Sequence, residues 1–142
     1  MKVSETMTRD VRVAAPNDSI QQAARMMAEL EAGVLPVGEN DRLVGMITDR
    51  DIAIRAVAEG KGPSAKVREV MTADVKYCFA DQDVEEVTRN MAEIQVRRLP
   101  VLNRDKRLVG IVSLGDIATS REAEEAGEAL SGISRPGGEH SQ

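Results

Sequence analysis

Aromatic side chains are nearly missing from this chain of 142 residues, which has one Phe, one Tyr and no Trp. Hydrophobic residues still make up 42%, so a globular core is available, but Val, Leu, Ile, Ala and seven Met must fill it. Cysteine is limited to Cys78, which excludes an intrachain disulfide and fits a reducing compartment. The single histidine, His140, stands among Gly, Ser and Glu close to the C-terminus. Histidine acid–base chemistry and His/Cys metal sites therefore have almost nothing to work with, and no metal is expected. Positive charge is in deficit. The formal net charge is −5 and the pI near 5.0, against the basic surface that non-specific nucleic-acid binding needs. No apolar run approaches the length of a membrane span, and no basic amphipathic stretch points to a membrane surface. The opening Met1-Lys2-Val3-Ser4-Glu5 has no apolar signal core. The expectation is a cytoplasmic protein with neither a nucleic-acid nor a membrane partner.

What the chain does have is an internal repeat. Val3, Glu5, Met7 and Thr8 return 64 places later as Val67, Glu69, Met71 and Thr72. At the same shift Arg25, Met27, Ala28 and Glu29 return as Arg89, Met91, Ala92 and Glu93, and Leu35-Pro36-Val37 as Leu99-Pro100-Val101. Beyond Asp41 and Asp105 one extra residue raises the shift to 65. It carries Leu43-Val44-Gly45 and Asp51-Ile52-Ala53 onto Leu108-Val109-Gly110 and Asp116-Ile117-Ala118. The expected division is residues 1–62 for repeat one, 63–130 for repeat two and 131–142 for a flexible tail.

Each repeat reads β-α-β-β-α. Val11 to Val13, and Val75 to Phe79 in the second copy, are β-prone openings. Ile20, Ala23, Ala24, Met27 and Leu30, then Val84, Val87, Met91 and Ile94, have the three-to-four spacing of a helix with one buried stripe. Asn17-Asp18 and Asp81 to Asp83 are the N-cap candidates. A hairpin follows, with turns at Gly38 to Arg42 and at Asn103 to Arg107. The closing helix runs from about Asp51 to Glu59 before Gly60, and from Asp116 toward Leu130 in repeat two. A unit of about 60 residues makes a marginal core, so the two should pack together about a pseudo-twofold axis. The fold class is α+β, with small sheets packed with helices.

Two motifs carry possible chemistry. Thr48 precedes Asp51 by three places, and Ser113 precedes Asp116 by the same spacing. That pattern either closes a helix as a capping box or presents a hydroxyl, a carboxylate and free N–H groups to a polar ligand. Both readings stay open on the residues. Arg97-Arg98 stands where repeat one has Gly33-Val34, so the fold does not demand it. Two guanidiniums ahead of an apolar strand face an anion, or are solvated and paired with glutamates such as Glu31 or Glu93. Asp49-Arg50 in turn stands against Leu114-Gly115. Arg50 either reaches toward a phosphate or pairs with Asp49 and blocks the first site. The repeats are thus unequal, and one good site, that of Ser113 and Asp116, is expected beside a weaker or empty one. Met26, Met27, Met46 and Met91 read as core or subunit-contact filling, Glu122, Glu124, Glu125 and Glu128 as a solvated face, and Cys78 as a small buried apolar residue. An enzyme using Asp49 and Asp51 with a metal is disfavoured, because repeat two lacks the second carboxylate.

The β-α-β-β-α repeat, its Met-Thr opening, its Leu-Pro-Val strand and its Gly-aliphatic-aliphatic-(Thr/Ser)-x-x-Asp ending resemble a tandem pair of CBS domains, a Bateman module, of the short stand-alone bacterial type. The resemblance runs from Val3 to about Ala123. It implies a non-catalytic regulatory module that binds AMP, ADP, ATP or S-adenosylmethionine in clefts between the repeats. In that family the motif aspartate holds the ribose hydroxyls and the motif Thr/Ser lies near the phosphate, which puts Thr48, Asp51, Ser113 and Asp116 in those roles. A basic residue near Arg97 and Arg98 commonly serves the phosphate. Backbone contacts to adenine would come from Val11 to Ala14, with Val13 among them, from Val34, and from Val75 to Phe79. The resemblance also implies a homodimer and an effector protein still to be identified. The alternative is a ligand-free stress-response or protein-interaction scaffold.

Overall fold

The computed structural model describes residues 1–119 and 132–133. They form two compact units of mixed helix and strand. One comprises Arg12–Val75 and is called here the repeat-one unit; the other joins Met1–Val11 to the chain from Lys76 onward and is called the repeat-two unit.

In the repeat-one unit, helix α1 spans Ile20–Leu30. Its N-cap is Ser19, which accepts from Gln22 N at 3.1 Å while Gln22 Oε1 accepts from Ser19 N at 2.7 Å. The expected caps Asn17 and Asp18 are therefore corrected: the Asp18 carboxylate takes the N–H of Ala15 at 2.9 Å instead. A hydroxyl one place before the first helical turn reaches that turn, and a carboxylate farther back closes its own loop. Ile20, Ala23 and Met27 are buried, whereas Ala24 and Leu30 are exposed; the buried stripe is narrower than expected. Strands β1 (Val34–Glu39) and β2 (Arg42–Thr48) pair antiparallel. Only Asn40 and Asp41 lie between them, with φ of 54° and 62°, so the turn is tighter than the five-residue expectation. Two left-handed residues give the twist that matches adjoining strands. The opening strand shrinks to a single parallel bridge, Ala14 to Val37.

Helix α2 begins at Asp49–Asp51 and continues as a π-helix over Ile52–Val57. An ordinary α-helix was expected there. Gly60 follows at φ +78°, the left-handed stop that its position suggested. The sequence after Pro63 adds a 3₁₀ turn at Val67–Glu69, stapled by Lys66 N donating to Glu69 Oε2 at 2.6 Å. Beyond it, Thr72 exchanges both backbone hydrogen bonds with Met46 and covers the free edge of β2. Ala14, Ile20, Ala23, Met27, Leu35, Val37, Ile47, Ala56, Val67 and Val70 form the core.

The repeat-two unit follows the same plan, with β3 (Cys78–Phe79), α3 (Val84–Ile94), β4 (Arg98–Leu102), β5 (Leu108–Ser113) and α4 (Leu114–Ala118). β3 runs parallel to β4, which pairs antiparallel with β5. The edge strap comes from the start of the chain: Val3–Glu5 form the 3₁₀ turn and Thr8 bridges Ile111. Val3, Cys78, Val84, Val87, Met91, Leu99, Val101, Val112 and Ile117 are its core. Asp83, not Asp81, occupies the N-cap of α3. Asp81 is drawn away by Arg104 at 2.7 Å, whose guanidinium lies 4.1 Å above the Phe79 ring. Extension of α4 toward Leu130, the acidic residues from Glu122 to Glu128, and His140 lie outside the described residues. Of the stretch read as a tail, Gly132 and Ile133 are described and buried.

Candidate functional site

In the repeat-one unit the start of β1 and the start of α2 meet. Val34 lies opposite Thr48 across the hairpin, and Asp49 N donates to Gly33 O at 2.9 Å. Thr48 and Asp51 form a complete capping box, with Asp51 N donating to Thr48 Oγ1 at 3.0 Å and Thr48 N to Asp51 Oδ2 at 2.9 Å. The second carboxylate oxygen, Oδ1, pairs with Arg55 at 3.8 Å. Arg55 is a partner that the sequence reading missed, though its place four residues beyond Asp51 is the usual helical ion-pair spacing. Its guanidinium also donates to Val70 O and Met71 O at 3.4 Å each. Arg50 is exposed. Of the two alternatives for Arg50, the side-chain pair with Asp49 is not among the ion pairs of the described residues: Asp49 Oδ1 takes the backbone N–H of Arg50 at 2.8 Å. Val13 stands apart from this corner, against Gly38 near the turn end of the hairpin, and is 40% exposed.

Gly33 and Asp49 are close neighbours. A Cβ on residue 33 would stand 2.9 Å from Asp49 Oδ2. An open cavity of about 360 Å³ lies beside them, lined by Met27, Ala28, Glu31, Ala32, Gly33 and Asp49. Glu31 ends α1 in the left-handed conformation, and the sequence reading had given it only a surface role.

The repeat-two unit builds the same corner with different side chains. Arg98 lies opposite Ser113, and Leu114 N donates to Arg97 O at 3.0 Å. Ser113 and Asp116 close their capping box with two 3.1 Å hydrogen bonds. The hairpin thus delivers Arg97, Arg98, Ser113 and Asp116 to one corner, as their sequence positions alone could not show. Both arginines are exposed, and among the described residues no ion pair joins either to Glu93. Thr6, 110 residues away in sequence, donates from Oγ1 to Asp116 O at 3.1 Å. No local motif announces that contact. Cys78, in the opening strand, is 2% exposed, and burial pushes its thiol up to about 12. Among the described residues no group of three or more His, Cys, Asp or Glu side chains is placed to hold a metal.

Chemically, each corner offers a hydroxyl, a carboxylate and the N–H groups of a helix start; in repeat one the Arg55 guanidinium sits on the carboxylate itself, whereas in repeat two the exposed Arg97 and Arg98 stand at the start of the hairpin. The cap and the ligand-facing roles use the same atoms in part. A carboxylate that accepts one N–H through one oxygen keeps acceptor capacity for a sugar hydroxyl.

Known proteins share this fold. The CBS-domain protein YhcV of Bacillus subtilis is 42% identical over 133 residues, 93% of this chain and 94% of that protein. A crystal structure of Hypoxic Response Protein I with two coordinated zinc ions superposes with a TM-score of 0.76 at 38% identity, over 83% of this chain and 97% of that one. Two further solved structures carry nucleoside ligands. CBSX2 in complex with AMP gives a TM-score of 0.72 at 25% identity, covering 82% and 93% of the two chains. The CBS domain pair of MJ0100 in complex with 5-methylthioadenosine and S-adenosyl-L-methionine gives 0.73 at 30%, covering 83% and 93%. The CBS-domain family model matches twice, over residues 3–57 and 67–122. This chain therefore belongs to the CBS-domain family, as a tandem pair.

Proposed function

We propose that the chain is a non-catalytic regulatory module that senses an adenine nucleotide, with the better site in repeat two. The observation that carries this reading is the meeting of Arg97 and Arg98 with Ser113 and Asp116 at one corner of the hairpin. Guanidiniums supply fork-shaped donors for phosphate, and the carboxylate supplies acceptors for ribose hydroxyls. AMP and S-adenosyl-L-methionine in the two similar structures support the same ligand class. AMP, ADP, ATP and S-adenosylmethionine are the candidates. Ligand would bias a conformational or oligomeric equilibrium read by an effector protein, by binding one state more tightly. The active form is proposed to be a homodimer in the cytoplasm, which light scattering tests for assembly.

Isothermal titration with the four compounds tests the reading. Heat saturating at about one equivalent for a phosphorylated compound, lost in Asp116→Ala and in Arg97→Gly/Arg98→Val, supports it; no heat from any of the four at millimolar concentration overturns it.

One observation favours the scaffold alternative. Both capping boxes are complete without a ligand, so the motif has a structural use by itself. The two readings separate in Asp116→Asn, which keeps an acceptor for Ser113 N but weakens the ribose contact. A scaffold predicts unchanged partner capture, whereas a sensor predicts lost nucleotide response.

A further inference from the structure

We infer that the two repeats sort adenosine compounds by charge: the repeat-one corner takes a compound with a cationic group in place of the 5′-phosphate, and the repeat-two corner takes the phosphorylated kind. The inference rests on the adenosine-sensing reading above and adds the chemistry that separates the sites.

The two corners have opposite formal charge at equivalent positions. Repeat one carries three carboxylates, Glu31, Asp49 and Asp51, against Arg50 and Arg55. Repeat two carries Arg97 and Arg98 against Asp116 alone, with Gln95 where Glu31 stands and Leu114 where Asp49 stands. One negative charge net thus stands against one positive charge net, a difference of two, and Glu31 and Asp49 are the acids of repeat one that line its cavity. The geometry makes the exchange mutual. Asp49 Oδ2 lies 2.9 Å from where a Cβ on residue 33 would be, so the acid occupies the space an arginine there would need.

The space beside the corner differs too. In the repeat-one unit the approximately 360 Å³ cavity is open, with Met27, Ala28 and Ala32 as an apolar floor and Glu31 and Asp49 as acceptors. In the repeat-two unit the equivalent face is covered by the chain itself. Gly132 lies against Ala92, and Gln95 Nε2 donates to Gly132 O at 2.9 Å. Ile133 beside it is 2% exposed. Repeat one therefore has room for an aliphatic side arm ending in a sulfonium or ammonium group, and repeat two does not. A phosphate placed beside Glu31 and Asp49 is repelled.

Titration of the full chain with S-adenosylmethionine, 5′-methylthioadenosine and AMP tests this. S-adenosylmethionine should bind at one equivalent in the presence of saturating AMP. Glu31→Gln/Asp49→Asn should weaken it about tenfold, the scale of one or two near-surface charge contacts, and leave AMP within about twofold. Arg97→Gly/Arg98→Val should do the reverse, and neutral 5′-methylthioadenosine should respond to neither pair. The unchanged AMP isotherm of Glu31→Gln/Asp49→Asn reports that the variant is folded. The inference is overturned if AMP displaces S-adenosylmethionine competitively, or if the acidic pair can be neutralised without effect. It is also overturned if AMP binds and S-adenosylmethionine gives no heat. Silence from all three compounds and from ADP and ATP removes the adenosine-sensing reading itself.

Discussion

Asp116 closes the capping box of α4, and the ligand role proposed for the same side chain is separable from the cap by substitution. Its carboxylate accepts the N–H of Ser113 at 3.1 Å, a contact whose loss in Asp116→Ala should cost about 1 kcal/mol by thermal denaturation. Asp116→Asn should retain most of that stability. If both variants lose nucleotide binding and only the alanine loses stability, the carboxylate serves ligand as well as cap. Cys78 makes a second residue-scale prediction. Burial raises its thiol from 9.0 to about 12, so the folded state favours the protonated form. The resulting stability is fully present below pH 9 and is lost as pH rises toward 12. A thiol reagent at pH 8 should modify native protein far more slowly than urea-unfolded protein; equal rates would contradict the burial. At this scale the sequence was informative about residue type and poor about partner. The Thr48–Asp51 and Ser113–Asp116 spacing announced the boxes, but Thr6 on Asp116 and Gly33 against Asp49 depend on distant chain segments meeting.

Among the elements, the edge straps explain a pair of glycines that the motif left unassigned. A Cβ on Gly110 would stand 2.7 Å from both Met7 Sδ and Thr8 O, and one on Gly45 would stand 2.6 Å from Met71 Sδ and 2.9 Å from Thr72 O. Close backbone approach, not turn geometry, is why glycine sits mid-strand. Gly110→Ala and Gly45→Ala should each cost about 1–3 kcal/mol through forced displacement of the strap, read as a lower urea midpoint. The amphipathic helices α1 and α3 were legible from apolar spacing alone. The 3₁₀ turns at Val3–Glu5 and Val67–Glu69 were not, because three residues are too short to show a period. Nor was the π-helical turn Ile52–Val57, which shares the apolar content of an α-helix and differs only in hydrogen-bond offset.

For the whole molecule, the first eleven residues belong with the second repeat's elements. Val3 is fully buried, Val3 N donates to Gln82 O at 2.9 Å, and Ser4 N to Ala80 O at 3.0 Å. Deleting residues 1–8 should remove about 1.5–3 kcal/mol from the burial of Val3 alone, with further loss from the freed β5 edge. A two-step or strongly lowered thermal transition is the expected outcome, and an unchanged one would contradict the packing. Ligand should act in the opposite direction: AMP at 100-fold above its Kd should add about 2.7 kcal/mol, visible as a raised midpoint in wild type and absent in Arg97→Gly/Arg98→Val.

By itself the sequence determined the duplication, the order of elements in each copy, the aliphatic core and the two hydroxyl–carboxylate motifs. Each of these is written in residue type and local spacing, which survive without knowledge of what lies opposite. Tertiary structure alone decided that Arg98 lies opposite Ser113, that Arg55 reaches the carbonyls of Val70 and Met71, and that the chain's opening straps β5. Those depend on hairpin register and on contacts between residues 15 to 110 positions apart, for which a linear pattern carries no distance.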